Sequence, residues 1–150
     1  MTNDMPQLRR TKRSLPIALL RARESVMGPI REMLASSGVN EQKWRVLRVL
    51  QERGPSELTV LASEACLLLP SLTRIARTME EDGLISRTTP EDDRRKTIAA
   101  ITPKGEAVIR THSAESARIV ARIERAFGAA RLEELLDLLE DLQNLPRGED

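Results

Sequence analysis

The chain has 150 residues, 40% hydrophobic and 31% charged, with a formal net charge of +1. Aromatic residues are limited to Trp44 and Phe127, so the core must be aliphatic, helices are its natural form, and stacking of unpaired bases on aromatic side chains is disfavoured. The single cysteine, Cys66, rules out an intrachain disulfide, no apolar run is long enough to span a bilayer, and nothing reads as a signal peptide, so the expected location is cytoplasmic.

The length suits one integrated domain. Its charge is unevenly placed. Residues 1–25 carry Arg9, Arg10, Lys12, Arg13, Arg21 and Arg23 against Asp4 and Glu24, whereas residues 129–150 carry seven acids against Arg131 and Arg147. Placement matters more than the sum for a polyanionic partner. Residues 1–14 are expected to be a mobile basic segment, read either as a solvated tail or as an arm that strengthens phosphate contact.

From Leu15 to about Ser36 the pattern is helical, with Leu20, Met27, Ile30 and Leu34 on one stripe. Arg23 falls on that stripe. It must be either paired with a carboxylate of the protein or free to anchor a carboxylate ligand, since a bare buried charge is costly. Pro29 interrupts this helix. Ser37–Gly38 closes it, and Asn40 caps a helix over 41–53 that turns Trp44, Leu47 and Leu50 inward. Gly54–Pro55 stops that helix. A third is expected from Ser56, with Leu58, Leu61, Ala62 and Ala65 inward, ending at Cys66. That cysteine is read as an inert core thiol; a redox switch is the alternative.

The stretch from Leu67 to Gly105 organises the rest. Pro70 suits the first turn of a helix. Leu72, Ile75, Ala76 and Met79 give that helix, over 70–82, an apolar face, and Gly83 ends it. Ser71, Thr73, Arg74 and Arg77 lie in its N-terminal half, while Glu80, Glu81 and Asp82 gather at the far end. An arginine there can bond guanine bidentately and a threonine methyl can touch thymine. Leu84–Thr88 and Thr97–Ile101 pair as a hairpin closed by Pro90–Lys96. Asp93, two positions before Arg95, can hold that guanidinium in one rotamer, and Arg94, Arg95 and Lys96 make the tip basic enough for a minor groove.

Thr102 caps the next helix, with Pro103 at its first position. It runs to about Phe127 with Val108, His112, Ile119 and Ile123 near one face. His112 is read as a core or interface group, or as a ligand contact. The last helix, about Ala130 to Asn144, carries Leu132, Leu135, Leu136, Leu138, Leu139 and Leu142, with Leu145 just beyond. That exceeds one stripe, so both ends of the chain are expected to lie in a dimer interface.

The segments SLTRIARTMEEDGLISR at 71–87 and DDRRKTIAAITPKGEAVI at 92–109 resemble the MarR family of winged helix-turn-helix regulators. The family's Asp-x-Arg wing pattern falls on Asp93 and Arg95. Its Leu-Thr-x-x-Gly signature falls on Ile101, Thr102 and Gly105, with isoleucine in place of leucine. IALLRARESVM at 17–27, EQKWRVLRVL at 41–50 and ACLLLPSLTRI at 65–75 resemble the branch that represses homoprotocatechuate (4-hydroxyphenylacetate) degradation operons. The resemblance implies a mainly α fold: a winged helix-turn-helix with a two-stranded wing, DNA-binding over 41–102, and dimerisation helices over 15–40 and 103–150. It also implies a homodimer on double-stranded DNA, with the recognition helix in the major groove and the wing in the minor groove. The DNA-binding set is then Ser71, Thr73, Arg74, Arg77, Asp93, Arg94, Arg95 and Lys96. A phenolic acid pocket is implied as well, and stripe positions read in that light place Arg23, Met27, Trp44 and His112 in it.

Two other classes remain open from the residues alone: a winged-helix module that binds protein, and an oxidation sensor acting through Cys66. An enzyme is not expected, because the chain has no nucleophile–base set, no Gly-rich phosphate loop and no zinc spacing. Neither a cofactor nor a metal site is expected.

Overall fold

The computed structural model describes residues 5–148. Residues 1–4 and 149–150, the outermost parts of the basic and acidic ends, lie outside the described residues. Residues 5–13 are exposed, with a single 3-10 turn at Thr11–Arg13. Six helices follow: α1 (Leu15–Leu34), α2 (Glu41–Arg53), α3 (Leu58–Glu64), α4 (Leu69–Glu81), α5 (Pro103–Phe127) and α6 (Ala129–Gln143). The sheet has three strands, β1 (Ser56–Glu57), β2 (Ile85–Thr88) and β3 (Ile98–Ile101), all antiparallel in the order β1-β3-β2.

The helix boundaries follow from local chemistry. Asn40 accepts a hydrogen bond from the Lys43 amide at 2.9 Å and opens α2. At the end of α4 the Gly83 amide donates to the Glu80 carbonyl at 3.0 Å, and the Leu84 amide donates to Met79 at 2.9 Å. That pair of bonds is a Schellman motif, and its left-handed position at φ 75° suits glycine. The same motif ends α3, where Cys66 donates to Ser63 and Leu67 to Ala62. Here a non-glycine residue occupies the left-handed position, with φ 56°.

The core lies under α2, α3, α4 and the sheet. Leu47, Leu50, Leu61, Leu72, Met79 and Val46 are fully buried, joined by Ile85, Ala99, Ile109 and Ile119. All four residues expected on the apolar face of α4 are buried. Helices α3 and α4 cross with a bend of 106°, within the range of about 90–120° typical of a helix-turn-helix.

Three expectations are corrected. Ser56 does not begin α3: it pairs with Ala99 as a strand residue, so the wing hairpin gains a third strand. Two residues cannot display a period, and Ser56 after Gly54–Pro55 looks like a helix cap. Cys66 is exposed, because the left-handed turn swings it off the inner face of α3. Leu20, placed on the inward stripe of α1, is 63% exposed, since only the last turns of α1 (Ile30, Met33 and Leu34) reach the core. Helix α6 has no buried residue.

Candidate functional site

Two sites emerge, one around α4 and the wing, the other between the outer helices and α2. In α4 the inward face fixes the outward one. Arg74 and Arg77 are exposed, and among the described residues neither joins an ion pair. Ser71 and Thr73 are half-buried beside them. The Thr73 hydroxyl donates its proton to the Leu69 carbonyl at 2.9 Å, so towards an outside partner it offers its methyl and an accepting oxygen. Two of the three acids at the far end of α4 are engaged elsewhere. Glu80 pairs with Arg87 at 3.1 Å, which lowers its carboxyl below the ordinary value, and Asp82 lies 3.7 Å from Lys43. The N-terminal half of α4 is therefore cationic, and at its C-terminal end two of the three acids are paired, leaving Glu81 exposed.

The wing tip is organised by Asp93. Its carboxylate accepts from the Arg95 amide and from Arg95 Nε, both at 3.1 Å, and from Nη2 at 3.4 Å. The Arg95 side chain is nevertheless 92% exposed, so the guanidinium is oriented without being covered. The same bonds hold the Asp93 carboxyl below its ordinary value. Arg94 is exposed. Lys96 differs from its neighbours: Glu57 lies 3.1 Å away and raises its ammonium above the usual lysine range. Glu57 ends β1, so this ion pair ties the base of the wing to the start of α3. A space of about 290 Å³ lies between the wing and α4, bordered by Leu69, Thr73, Arg95 and Lys96. Of the sequence-predicted DNA-contact residues, Thr73, Arg95 and Lys96 meet around this space, with Arg74 and Arg77 exposed farther along α4. Glu57 was missed, because a carboxylate 39 positions from its lysine leaves no local signal.

The second site is a groove of about 770 Å³ between α1, α2 and α6. Its walls are mostly apolar and include Met27, Trp44, Leu135 and Leu139, with Arg23 and Arg48 among the charged residues. Three of the four predicted ligand residues, Arg23, Met27 and Trp44, meet there. His112 does not line the groove. It stands edge-on to the Trp44 ring from α5, with centroids 6.2 Å apart and planes at 81°, so it supports the tryptophan from behind. Arg23 is bonded to Glu41, which answers the question its stripe position raised: it is a paired charge. Arg45 donates to the Ala65 carbonyl at 3.0 Å. Arg48, one turn after Trp44, joins no ion pair among the described residues and borders the Trp44 ring from two cavities. It was missed because an exposed arginine on a helix reads as a solvated surface residue.

This architecture has relatives. A model of the MarR family matches residues 39–97. The homoprotocatechuate degradative operon repressor of Escherichia coli is 38% identical over 128 residues, which is 85% of this chain and 86% of that protein. The chain belongs to the MarR family. Among solved structures, NadR in complex with 4-hydroxyphenylacetate is 33% identical with a TM-score of 0.80, covering 95% of this chain and all of that one. The repressor CouR bound to a 23-mer DNA duplex is 25% identical with a TM-score of 0.75, covering 92% of this chain and 99% of that one. As a MarR family member the chain is a DNA-binding transcriptional regulator with a winged helix-turn-helix. Among the described residues, no single helix is long and apolar enough to cross a membrane.

Proposed function

We propose that this chain is a homodimeric repressor that acts in the cytoplasm, has no enzymatic activity, and leaves its operator when an aromatic acid fills the groove between α1, α2 and α6. The observation that carries this reading is the pairing of Trp44 with the uncommitted Arg48 in an apolar groove of about 770 Å³. An arylacetate needs a flat apolar wall for its ring and a cation for its carboxylate, and this groove offers both. The relatives point the same way: one represses homoprotocatechuate degradation, and another is solved with 4-hydroxyphenylacetate.

Two copies of α4 about 34 Å apart would enter successive major grooves of a near-palindromic site, with the Arg95 tips in the flanking minor grooves. Arg74, Arg77 and the Thr73 methyl meet base edges. Arg94 meets phosphate, Asp93 orients Arg95, and Lys96 works chiefly through Glu57. An effector wedged beside α1 changes the spacing of the two readers. Coupling of about 1–3 kcal/mol is enough to release a promoter.

The test is operator binding by the full chain with and without 4-hydroxyphenylacetate, followed in parallel by the fluorescence of Trp44, the sole tryptophan. Release of DNA together with a change in emission is expected. Undiminished affinity at saturating acid overturns the effector assignment. Arg48→Ala should retain DNA binding and weaken the acid's effect by about 1.5–3 kcal/mol, the worth of a hydrogen bond to a charged group. The exposure of Cys66 in the helix-turn-helix keeps one second reading in play: loss of DNA binding on peroxide treatment, abolished in Cys66→Ser, would favour an oxidation sensor.

A further inference from the structure

Residue 68 breaks a local rule. It is the N-cap of α4, where Ser, Thr, Asp or Asn would satisfy a first-turn amide, and it is leucine. No side chain caps the helix there. Such a residue stabilises the helix less than a capping one. Nor does burial compensate, because Leu68 is 77% exposed, more than any other large hydrophobic residue between Leu15 and Leu145. Its neighbours Leu67 and Leu72 are turned to the core, half-buried and fully buried respectively. Leu68 is therefore free to meet a group outside the chain.

Its place says where. The backbone holds Leu68 extended at φ −69° and ψ 142°, with its carbonyl accepting from the Leu72 amide at 2.9 Å, so the position is fixed by the first bond of α4. The cationic half of the same helix, with Arg74 and Arg77, follows immediately. In a helix-turn-helix the N-terminal residues of the second helix contact base edges. The only apolar feature on a major-groove edge is the thymine C5 methyl. We infer that Leu68 is a specificity-determining residue that reads a thymine methyl at the leading end of the recognition helix. It discriminates by shape and apolar contact where Arg74 and Arg77 discriminate by hydrogen bonds.

The inference rests on the reading that α4 enters the major groove, and one experiment separates the two. The full chain selects its duplex from a random pool. Each thymine of the selected half-site is then replaced symmetrically by deoxyuridine, which lacks only the methyl group. For the unaltered protein, one position should lose roughly sixteenfold in affinity, about fourfold for each of the two methyls removed. Leu68→Ala should bind the thymine duplex more weakly and show no loss at that position, while Leu68→Met, which keeps apolar reach, should retain it. The circular dichroism spectrum of both variants checks that α4 is intact. A deoxyuridine scan that is the same for Leu68→Ala and the unaltered chain overturns the inference, as does a selected site without an invariant thymine. If Arg74→Ala and Arg77→Ala also leave binding untouched, the placement of α4 itself has failed; if they weaken it, only the role of Leu68 has.

Discussion

The DNA-reading half and the outer helices of this chain are built to different standards of completeness. Behind α4 the core is closed: Leu61, Leu72, Ala76 and Met79 are buried, and Glu80 and Asp82 at its C-terminal end lie against Arg87 and Lys43. In α6 nothing is buried, and Leu135, Leu136 and Leu138 stand 38–58% exposed. One region is satisfied by its own chain; the other carries apolar surface that a single copy leaves in water. The core behind the reading helix is completed by one chain, whereas the leucines of α6 are not.

Substitutions can break that contrast. The largest effect is expected in the closed half. Leu72→Ala should cost about 2–5 kcal/mol in urea denaturation, as for a fully buried leucine, and take DNA binding with it. A loss below about 1 kcal/mol would mean that the α4 core is looser than its burial implies. Next comes Leu136→Asp, which should weaken the dimer by about 1.5–3 kcal/mol and lower the mass seen in sedimentation, with helical content unchanged. If it unfolds the chain instead, α6 belongs to the closed half. Arg77→Ala should cost about 1–3 kcal/mol of operator affinity with relaxed sequence preference and unaltered stability.

The smallest effect concerns the wing. The folded Asp93 carboxyl titrates below its ordinary value because it accepts from the side chain and amide of Arg95. The contact therefore contributes fully above the ordinary aspartate range, near pH 4, and is lost only as pH falls through the lower folded value. Operator affinity should thus show no Asp93-dependent change from pH 6 to pH 8, whereas Asp93→Asn should loosen Arg95 and reduce affinity slightly. A pH-dependent step near neutrality that Asp93→Asn removes would contradict the clamp.

The same contrast explains what the sequence made visible. Local chemistry could be read directly: the Leu72–Ile75–Ala76–Met79 face, the Gly83 stop, the Thr102 cap, whose hydroxyl accepts from the Gly105 amide at 3.2 Å, and the Asp93–Arg95 clamp. Each depends on residues within one or two helical turns. The two-residue strand β1 was hidden because its identity lies in pairing with β3, 43 residues away at Ser56 and Ala99. Cys66 was misplaced because a left-handed cysteine looks, in one dimension, like one more helical residue. Leu20 shows another limit: an apolar stripe does not say whether its cover comes from the same chain or from elsewhere. The groove residues Arg23, Met27 and Trp44 were reachable from stripe positions; Arg48 required knowing that Arg23 was already taken by Glu41.

The junction at Gly105 has a mechanical consequence. A Cβ there would lie 2.3 Å from the Leu84 carbonyl oxygen, so the start of α5 is pressed directly against the turn that ends α4. Thr102 donates to Gly83 and Lys104 to Asp82, each at 2.6 Å, which bolts the same joint from both sides. Helix α5 is then a rigid lever of roughly 37 Å, from 25 residues at about 1.5 Å each. His112 bears on Trp44 about 14 Å along it. Helix α5 thus makes one continuous path from the tryptophan wall to the turn that ends the recognition helix.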